Sequence, residues 1–245
     1  MAKLLVSVRS VSEAQAAVDG GAAVIDVKEP SLGPLGRASC ATWRAIRAAV
    51  PAVIPVSVAL GELADLDPGS IRPECFAGIA FRKAGPAGLG GDWSRRWELA
   101  RQADQAATGW VAVIYADWTE AQAPDPDAVI AAALGATDCP GLLVDSWDKT
   151  RGCPIGNLAE WQDRISRVQA SGRFVALAGR LDRRAIERLS PLGPDLFAVR
   201  GAACVGGRRD GIVNAELVTQ LAESAAATSG TRAGINSSAN RPPRT

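Results

Sequence analysis

A single (β/α)8 barrel, or TIM barrel, is the fold this sequence predicts, and three observations predict it. Eight short apolar runs recur along the chain, each followed by a helical pattern. Together they fill residues 4–227, close to the ~250 residues that such a barrel typically takes. No G-x-G-x-x-G follows the first run, which weighs against the main competitor, an open doubly wound sheet.

The runs are "LLVSV" (4–8), "VIDVK" (24–28), "IPVSVAL" (54–60), "GIAFRK" (78–83), "WVAVIYAD" (110–117), "GLLVDS" (141–146), "FVALAG" (174–179) and "DLFAVRG" (195–201). They are nearly continuous in hydrophobicity, as parallel strands covered on both faces must be. The first helix is expected over "SVSEAQAAVDGG", with Ser10 or Ser12 as N-cap and a glycine pair as stop. The second starts near Ser39 and ends at Pro51. Further helices are expected over 92–109, 125–136, 157–172, 181–193 and 214–227. After the third strand, "DLDPGSIRPECFAG" has the weakest helical pattern of the series. The barrel is expected to occupy residues 1–227. The polar, Ser-, Asn-, Gly- and Pro-rich stretch 228–245 reads as a disordered tail.

Composition narrows the chemistry. Net charge is +1 and the sequence pI about 7.6, with no dense basic patch, so neither nucleic acid nor a membrane surface is an expected partner. No run suggests a signal peptide or a membrane span. The five cysteines are scattered, with no C-x-x-C; the expectation is reduced thiols in a cytoplasmic protein. Barrels commonly self-associate, and the seven tryptophans are candidates for such a surface. Histidine is absent, which removes the commonest general base and zinc ligand and excludes Ser-His-Asp or Cys-His catalysis within the chain.

Lysine is scarce. Of 27 basic residues only Lys3, Lys28, Lys83 and Lys149 are lysine, and the rest are arginine. Arginine stays protonated, whereas a lysine whose pKa is lowered can attack a carbonyl. Barrel active sites sit at the C-terminal ends of the strands. Lys28 ends the second strand, Lys83 the fourth and Asp145 the sixth, with Lys149 in the loop beyond. Asp26, two residues before Lys28, shares its face. The plain alternatives are an Asp26–Lys28 ion pair and a loop-capping Asp145. The chemical reading is a Schiff base on Lys28, its amine kept neutral by burial or by neighbouring Lys83 and Lys149, with Asp26 and Asp145 moving protons or holding the iminium. The loops after the last two strands place glycine beside arginine, Gly179-Arg180 and Arg200-Gly201, with Gly206-Gly207 beyond. They form a candidate phosphate site, with Arg9 as a second basic candidate. Three readings fit these residues: a Schiff-base aldolase on a sugar phosphate, an isomerase or epimerase with no covalent step, or a non-enzymatic phosphometabolite sensor.

"LLVSVRSVSEAQAAVDGGAAVIDVKEPSLGPLG", "GIAFRKAG", "GLLVDSWDKT" and "DLFAVRGAACVGG" together resemble the (5-formylfuran-3-yl)methyl phosphate synthase family, over residues 3 to about 226. The resemblance implies a barrel enzyme that joins two molecules of glyceraldehyde 3-phosphate, with loss of phosphate and water, into the furan precursor of methanofuran or of a related C1 carrier. It implies no metal and no organic cofactor. It further implies Lys28 as the Schiff-base residue, Lys83 as the proton-transfer residue, and Asp26, Asp145 and Lys149 in support. Archaeal members often carry Asn where this chain has Glu29.

Overall fold

The structure is a computed structural model and describes residues 1–104, 109–153 and 155–227. Among these residues are eight parallel strands: β1 (Lys3–Val8), β2 (Val24–Val27), β3 (Val56–Glu62), β4 (Phe81–Gly85), β5 (Ala112–Tyr115), β6 (Gly141–Asp145), β7 (Phe174–Leu177) and β8 (Leu196–Val199). Their order is β4-β3-β2-β1-β8-β7-β6-β5. The seam between β4 and β5 is closed by a parallel bridge from Arg82 to Trp110. There the Arg82 amide donates to the Gly109 carbonyl and the Val111 amide to the Arg82 carbonyl, each at 2.8 Å. The chain is therefore a nearly closed eight-stranded barrel, as its periodicity predicts.

Among the described residues, seven α-helices cover the strands: α1 (Val11–Asp19), α2 (Cys40–Ala49), α3 (Trp93–Ala103), α4 (Pro126–Gly135), α5 (Leu158–Ala170), α6 (Arg183–Leu189) and α7 (Ala215–Ala227). Polar side chains cap them. Ser10 accepts from the Glu13 amide on α1, Ser39 from the Thr42 amide on α2 and Asp182 from the Ala185 amide on α6. No described helix is long and apolar enough to cross a membrane. Residues 105–108, the end of the helix expected over 92–109, and the expected tail 228–245 lie outside the described residues.

The third βα unit departs from the pattern. In place of a helix between β3 and β4 there are two single 3-10 turns, Pro68–Ser70 and Pro73–Phe76. Pro68 and Pro73 lack amide donors and stand too close together for a regular helix between them. The second turn is fastened to α2 instead. Trp43 stacks on Phe76 with ring centroids 5.5 Å apart, and Cys40 is joined to Cys75 by a disulfide with Cα atoms 5.4 Å apart. This corrects the expectation of reduced thiols for those two cysteines; Cys139, Cys153 and Cys204 are free. The pairing joins residues 35 apart in sequence, and no local motif announces it. Of the seven tryptophans, Trp43, Trp93, Trp97, Trp110 and Trp161 are buried, and Trp118 and Trp147 are partly exposed.

Alternation along the strands divides the core. Outward residues such as Val6, Ile25, Val58, Ile114, Val144 and Phe197 pack beneath the helices. Inward residues such as Leu5, Val24, Val113, Leu143, Ala176 and Leu196 form an apolar plug in the lower barrel. Above the plug the inward positions turn polar, and this layer carries the candidate site. At the seam, Arg82 faces outward and is buried; its Nε lies 2.6 Å from Asp104 Oδ2, and its guanidinium sits 4.6 Å from the Phe76 ring centroid. The Trp110 indole donates to the same carboxylate oxygen at 3.0 Å. Removing one partner of a buried pair strands the other charge, at a cost of about 3–5 kcal/mol. Asp104→Ala is therefore expected to lower unfolding stability by that amount, read in a denaturant titration; a change below about 1 kcal/mol would show that the seam does not depend on this pair.

Candidate active site

Strand register assembles the site in level rows. Ser7 stands beside Asp26, and Asp26 beside Ser57, across β1, β2 and β3. The Ser7 hydroxyl donates to Asp26 Oδ2 at 3.1 Å. From β4, the Lys83 ammonium donates to Asp26 Oδ1 and, at 2.7 Å, to the Ser57 hydroxyl. On the opposite wall Tyr115 stands level with Asp145 across β5 and β6. Asp145 Oδ1 accepts from the Ser146 amide at 2.8 Å and from the Lys149 ammonium at 2.5 Å. Lys149 also donates to the Ser146 hydroxyl at 3.2 Å. The loop that carries Lys149 is fixed by Asp117, whose carboxylate accepts from the Trp147 and Asp148 amides at 2.7 and 2.8 Å.

Lys28 follows the last residue of β2 and is buried. Among the described residues its ammonium makes one hydrogen bond, a long one of 3.4 Å to the Pro34 carbonyl, and no carboxylate lies within 4.0 Å of it. The plain alternative of an Asp26–Lys28 ion pair is thus not found among the described residues; Asp26 pairs with Lys83 instead. Burial lowers the Lys28 pKa to about 8, against the favourable fields of Asp145 and Asp26 and with help from Lys149 and Arg209. Burial pushes Asp26 and Asp145 the other way, upward. For Asp26 the fields of Lys83 and Lys28, and for Asp145 those of Lys149 and Lys28, outweigh it and hold both carboxyls below their ordinary values. Two Lys–Asp pairs therefore flank one amine that has no partner carboxylate.

A cavity of about 610 Å³ opens over these groups at the C-terminal end of the barrel. Asp26, Lys28, Lys83, Asp145 and Lys149 all line it, as do Gly179, Arg180, Arg200 and Gly201. The four loop residues differ in what they offer. Gly179 and Arg180 both adopt positive φ, 101° and 54°. A Cβ on Gly179 would stand 3.3 Å from the Ser146 hydroxyl, so the loop passes tightly behind the residue that holds Lys149. Arg180 spends one nitrogen on the Lys149 and Thr150 carbonyls, at 3.0 and 2.7 Å, and keeps the rest of its guanidinium. Arg200 keeps nothing: its five N–H groups go to both Glu13 carboxylate oxygens and to the Ser7, Arg209 and Gly211 carbonyls. Arg200 lines the cavity with these N–H groups already engaged. It is a clamp between β8, β1 and α1. Arg9, the second basic candidate, bonds Glu13 and the Asp210 and Gly211 carbonyls through one terminal nitrogen.

Several groups at this mouth escape sequence reasoning. Glu13 looks like a capping-box residue, and its buried role beside Arg200 depends on a contact 187 residues away. Ser7 and Ser57 did leave a signal, as polar residues inside apolar runs. Glu29 folds its own loop by accepting from the Ser31 amide and hydroxyl. Tyr115 donates to Glu62 at 2.7 Å, and burial raises the pKa of both groups. Arg209 reaches the cavity from the loop beyond β8.

At pH 7 an amine with a pKa of about 8 is roughly one-tenth neutral, against roughly one part in 2,500 for a free lysine. Labelling of Lys28 by an aldehyde and borohydride is expected to rise about tenfold per pH unit below 8 and to level off above it. Lys149→Met removes a cation that opposes protonation of Lys28 and leaves Asp145 free to favour it. Both effects raise the Lys28 pKa, so the inflection is expected to move to higher pH. A downward shift would contradict this charge arrangement.

The 4-HFC-P synthase family model matches residues 4–222. The (5-formylfuran-3-yl)methyl phosphate synthase of Methanopyrus kandleri is 32% identical over 237 residues, covering 91% of this chain and 99% of the relative. That of Methanocaldococcus jannaschii is also 32% identical, covering 90% and 98%. Among solved structures, TrpF from Jonesia denitrificans superposes with a TM-score of 0.64 at 14% identity, covering 95% of this chain and all of that one. KGPDC from Streptococcus mutans superposes with a TM-score of 0.59 at 13% identity, covering 94% and 99%. The two structures share the fold, and the sequence matches go further: with a barrel mouth built around lysine and aspartate, and a family match that runs through nearly all of the barrel, the chain belongs to the 4-HFC-P synthase family of enzymes.

Proposed function

We propose that this enzyme joins two molecules of glyceraldehyde 3-phosphate into (5-formylfuran-3-yl)methyl phosphate through a Schiff base on Lys28. The observation that carries the proposal is the buried Lys28 amine, without a carboxylate partner and with its pKa lowered to about 8, facing a cavity large enough for two trioses. One triose phosphate is first isomerised to a dihydroxyacetone-phosphate-like ketone. The neutral Lys28 amine adds to the aldehyde of the other, and loss of water gives the iminium. The iminium draws electrons from the adjacent carbon, which gives up its proton; the resulting enamine expels phosphate from the third carbon and leaves an enol whose terminal carbon is nucleophilic. That carbon attacks the ketone of the first triose and forms the new carbon–carbon bond. Ring closure by the ketone's hydroxymethyl oxygen onto the former enol carbon and loss of two waters give the furan, and hydrolysis of the imine frees the aldehyde and Lys28.

The two Lys–Asp pairs supply the proton transfers. Lys83, hydrogen-bonded to Asp26 and Ser57, is placed to exchange a proton with substrate oxygen or carbon. Asp145 and Lys149 do the same from the opposite wall. Gly179, Arg180 and Gly201 hold the phosphate that stays on the product, through backbone amides and the free part of the Arg180 guanidinium. Arg200 shapes that loop from behind. The enzyme works on a small-molecule phosphate in the cytoplasm, where triose phosphates are made, and supplies the furan for methanofuran or a bacterial analogue. It needs neither a cofactor nor a nucleic-acid or membrane partner.

Glyceraldehyde 3-phosphate with borohydride is expected to leave a reduced adduct on Lys28, located by peptide mass mapping. Without borohydride the product is expected to show the ultraviolet band of a conjugated furan aldehyde, which an ordinary aldol product lacks. Lys28→Arg is expected to lose at least ~10²-fold in turnover, the low end of what a missing catalytic group costs. Full turnover in that variant would end the covalent scheme, and an isomerase with no covalent step would leave no adduct at all.

A further inference from the structure

If two triose monophosphates are joined as proposed above, two phosphates enter and the product keeps one. The other leaves by elimination: a C–H bond gives its proton to a base, its electron pair becomes the new C=C bond, and the C–O bond breaks with its pair departing on phosphate. The site must therefore handle two phosphates, one kept and one expelled, and the loop residues Gly179, Arg180 and Gly201 account for one.

The arginines around the mouth can be sorted by what their N–H groups already do. Arg200 has spent all five. Arg9 bonds Glu13 and two carbonyls through one terminal nitrogen and is not among the residues that line the main cavity. Arg208 forms a two-pronged pair with Asp210. Arg209 is different. It is half-buried, and among the described residues its guanidinium makes one hydrogen bond, a long one of 3.4 Å to the Gly33 carbonyl. No carboxylate lies within 4.0 Å of it. It reaches from the loop after β8 to the loop after β2, beside Pro34, whose carbonyl accepts from Lys28. It also stands on the boundary of two spaces, lining both the main cavity and an adjoining one of about 450 Å³. Lys149 lines both as well, but it is engaged by Asp145. Arg209 thus keeps the geometry that grips phosphate on two oxygens, on the side of Lys28 next to the β2 loop.

We infer that Arg209 holds the second phosphate, the one expelled, and that the adjoining cavity is its exit. That outer space is lined by Lys149, Arg151 and Arg209 and by Glu120 and Asp148, so cations lead an anion outward from the main cavity and two carboxylates offset them. Expelled phosphate then dissociates past Arg209 while the carbon chain stays on Lys28 in the main cavity.

The test uses the full-length enzyme and inorganic phosphate. Calorimetry is expected to show a phosphate site in the wild type that Arg209→Gln loses, while Arg209→Lys keeps it at reduced affinity, since lysine supplies charge without the fork. Inhibition of turnover by inorganic phosphate is expected to weaken about tenfold in the Gln variant, with a rise in KM for glyceraldehyde 3-phosphate. Unchanged phosphate binding in Arg209→Gln overturns the inference; if that variant does not fold, wild-type phosphate affinity in Arg209→Lys does so. Unphosphorylated glyceraldehyde with borohydride separates this outcome from the Lys28 chemistry. Absence of an adduct on Lys28 in the wild type counts against the covalent scheme, while calorimetry still decides Arg209.

Discussion

Among the described residues, the barrel mouth brings Lys28, Lys83 and Lys149 together with Asp26 and Asp145, and the excess of one amine over these two carboxylates governs the rest of the site. A buried charge is tolerated when it is paired and hydrogen-bonded. Asp26 satisfies Lys83, and Asp145 satisfies Lys149. Lys28 is the amine left over, and the low dielectric around it favours its neutral form. A third carboxylate within reach of Lys28 would restore its charge and remove its nucleophilicity. A missing pair would leave a second amine in the same condition. The arrangement singles out one lysine as reactive while keeping two others charged within the same cavity.

The barrel is what makes such an arrangement stable. Register sets Ser7, Asp26 and Ser57 in one row, so Asp26 has hydrogen-bond partners from both neighbouring strands, one directly and one through Lys83. The loops above are tied back to the barrel by buried contacts of their own. Glu13 on α1 and Arg200 after β8 close the seam between the first and last units, and Asp117 pins the loop that positions Lys149. On the outer face of β4, next to Lys83, Arg82 uses Asp104 and Phe76 to hold the β4–β5 seam. One strand thus presents a charged side chain to each face, one serving the seam and one the cavity.

Legibility in the sequence varied with how local each signal was. The eight strands were readable because continuous apolar runs are a local property. Their limits were less so: β4 runs from Phe81 to Gly85 rather than 78–83, because its pairing with β3, and not its hydrophobicity, decides where it starts. The missing third helix was foreshadowed by Pro68 and Pro73. The candidate site was readable for an unusual reason, that lysine is nearly absent elsewhere, so its three occurrences at strand ends stand out. The arginines gave no such contrast. Arg200 and Arg209 look equally available in sequence, and the structure engages one fully and leaves the other largely free.

By itself the sequence determined the barrel, the end of the barrel that carries chemistry, and the residue types available there, because period and strand ends are written in neighbouring residues. Tertiary structure decided the pairing. Asp26 lies two residues from Lys28 but bonds Lys83, 57 positions away; Glu13 bonds Arg200, 187 positions away; Cys40 joins Cys75. Which charge meets which depends on strand register and loop path, and these are fixed only when the whole ring of strands closes. The identity of the unpaired amine, from which the proposed chemistry follows, is therefore a property of the closed barrel.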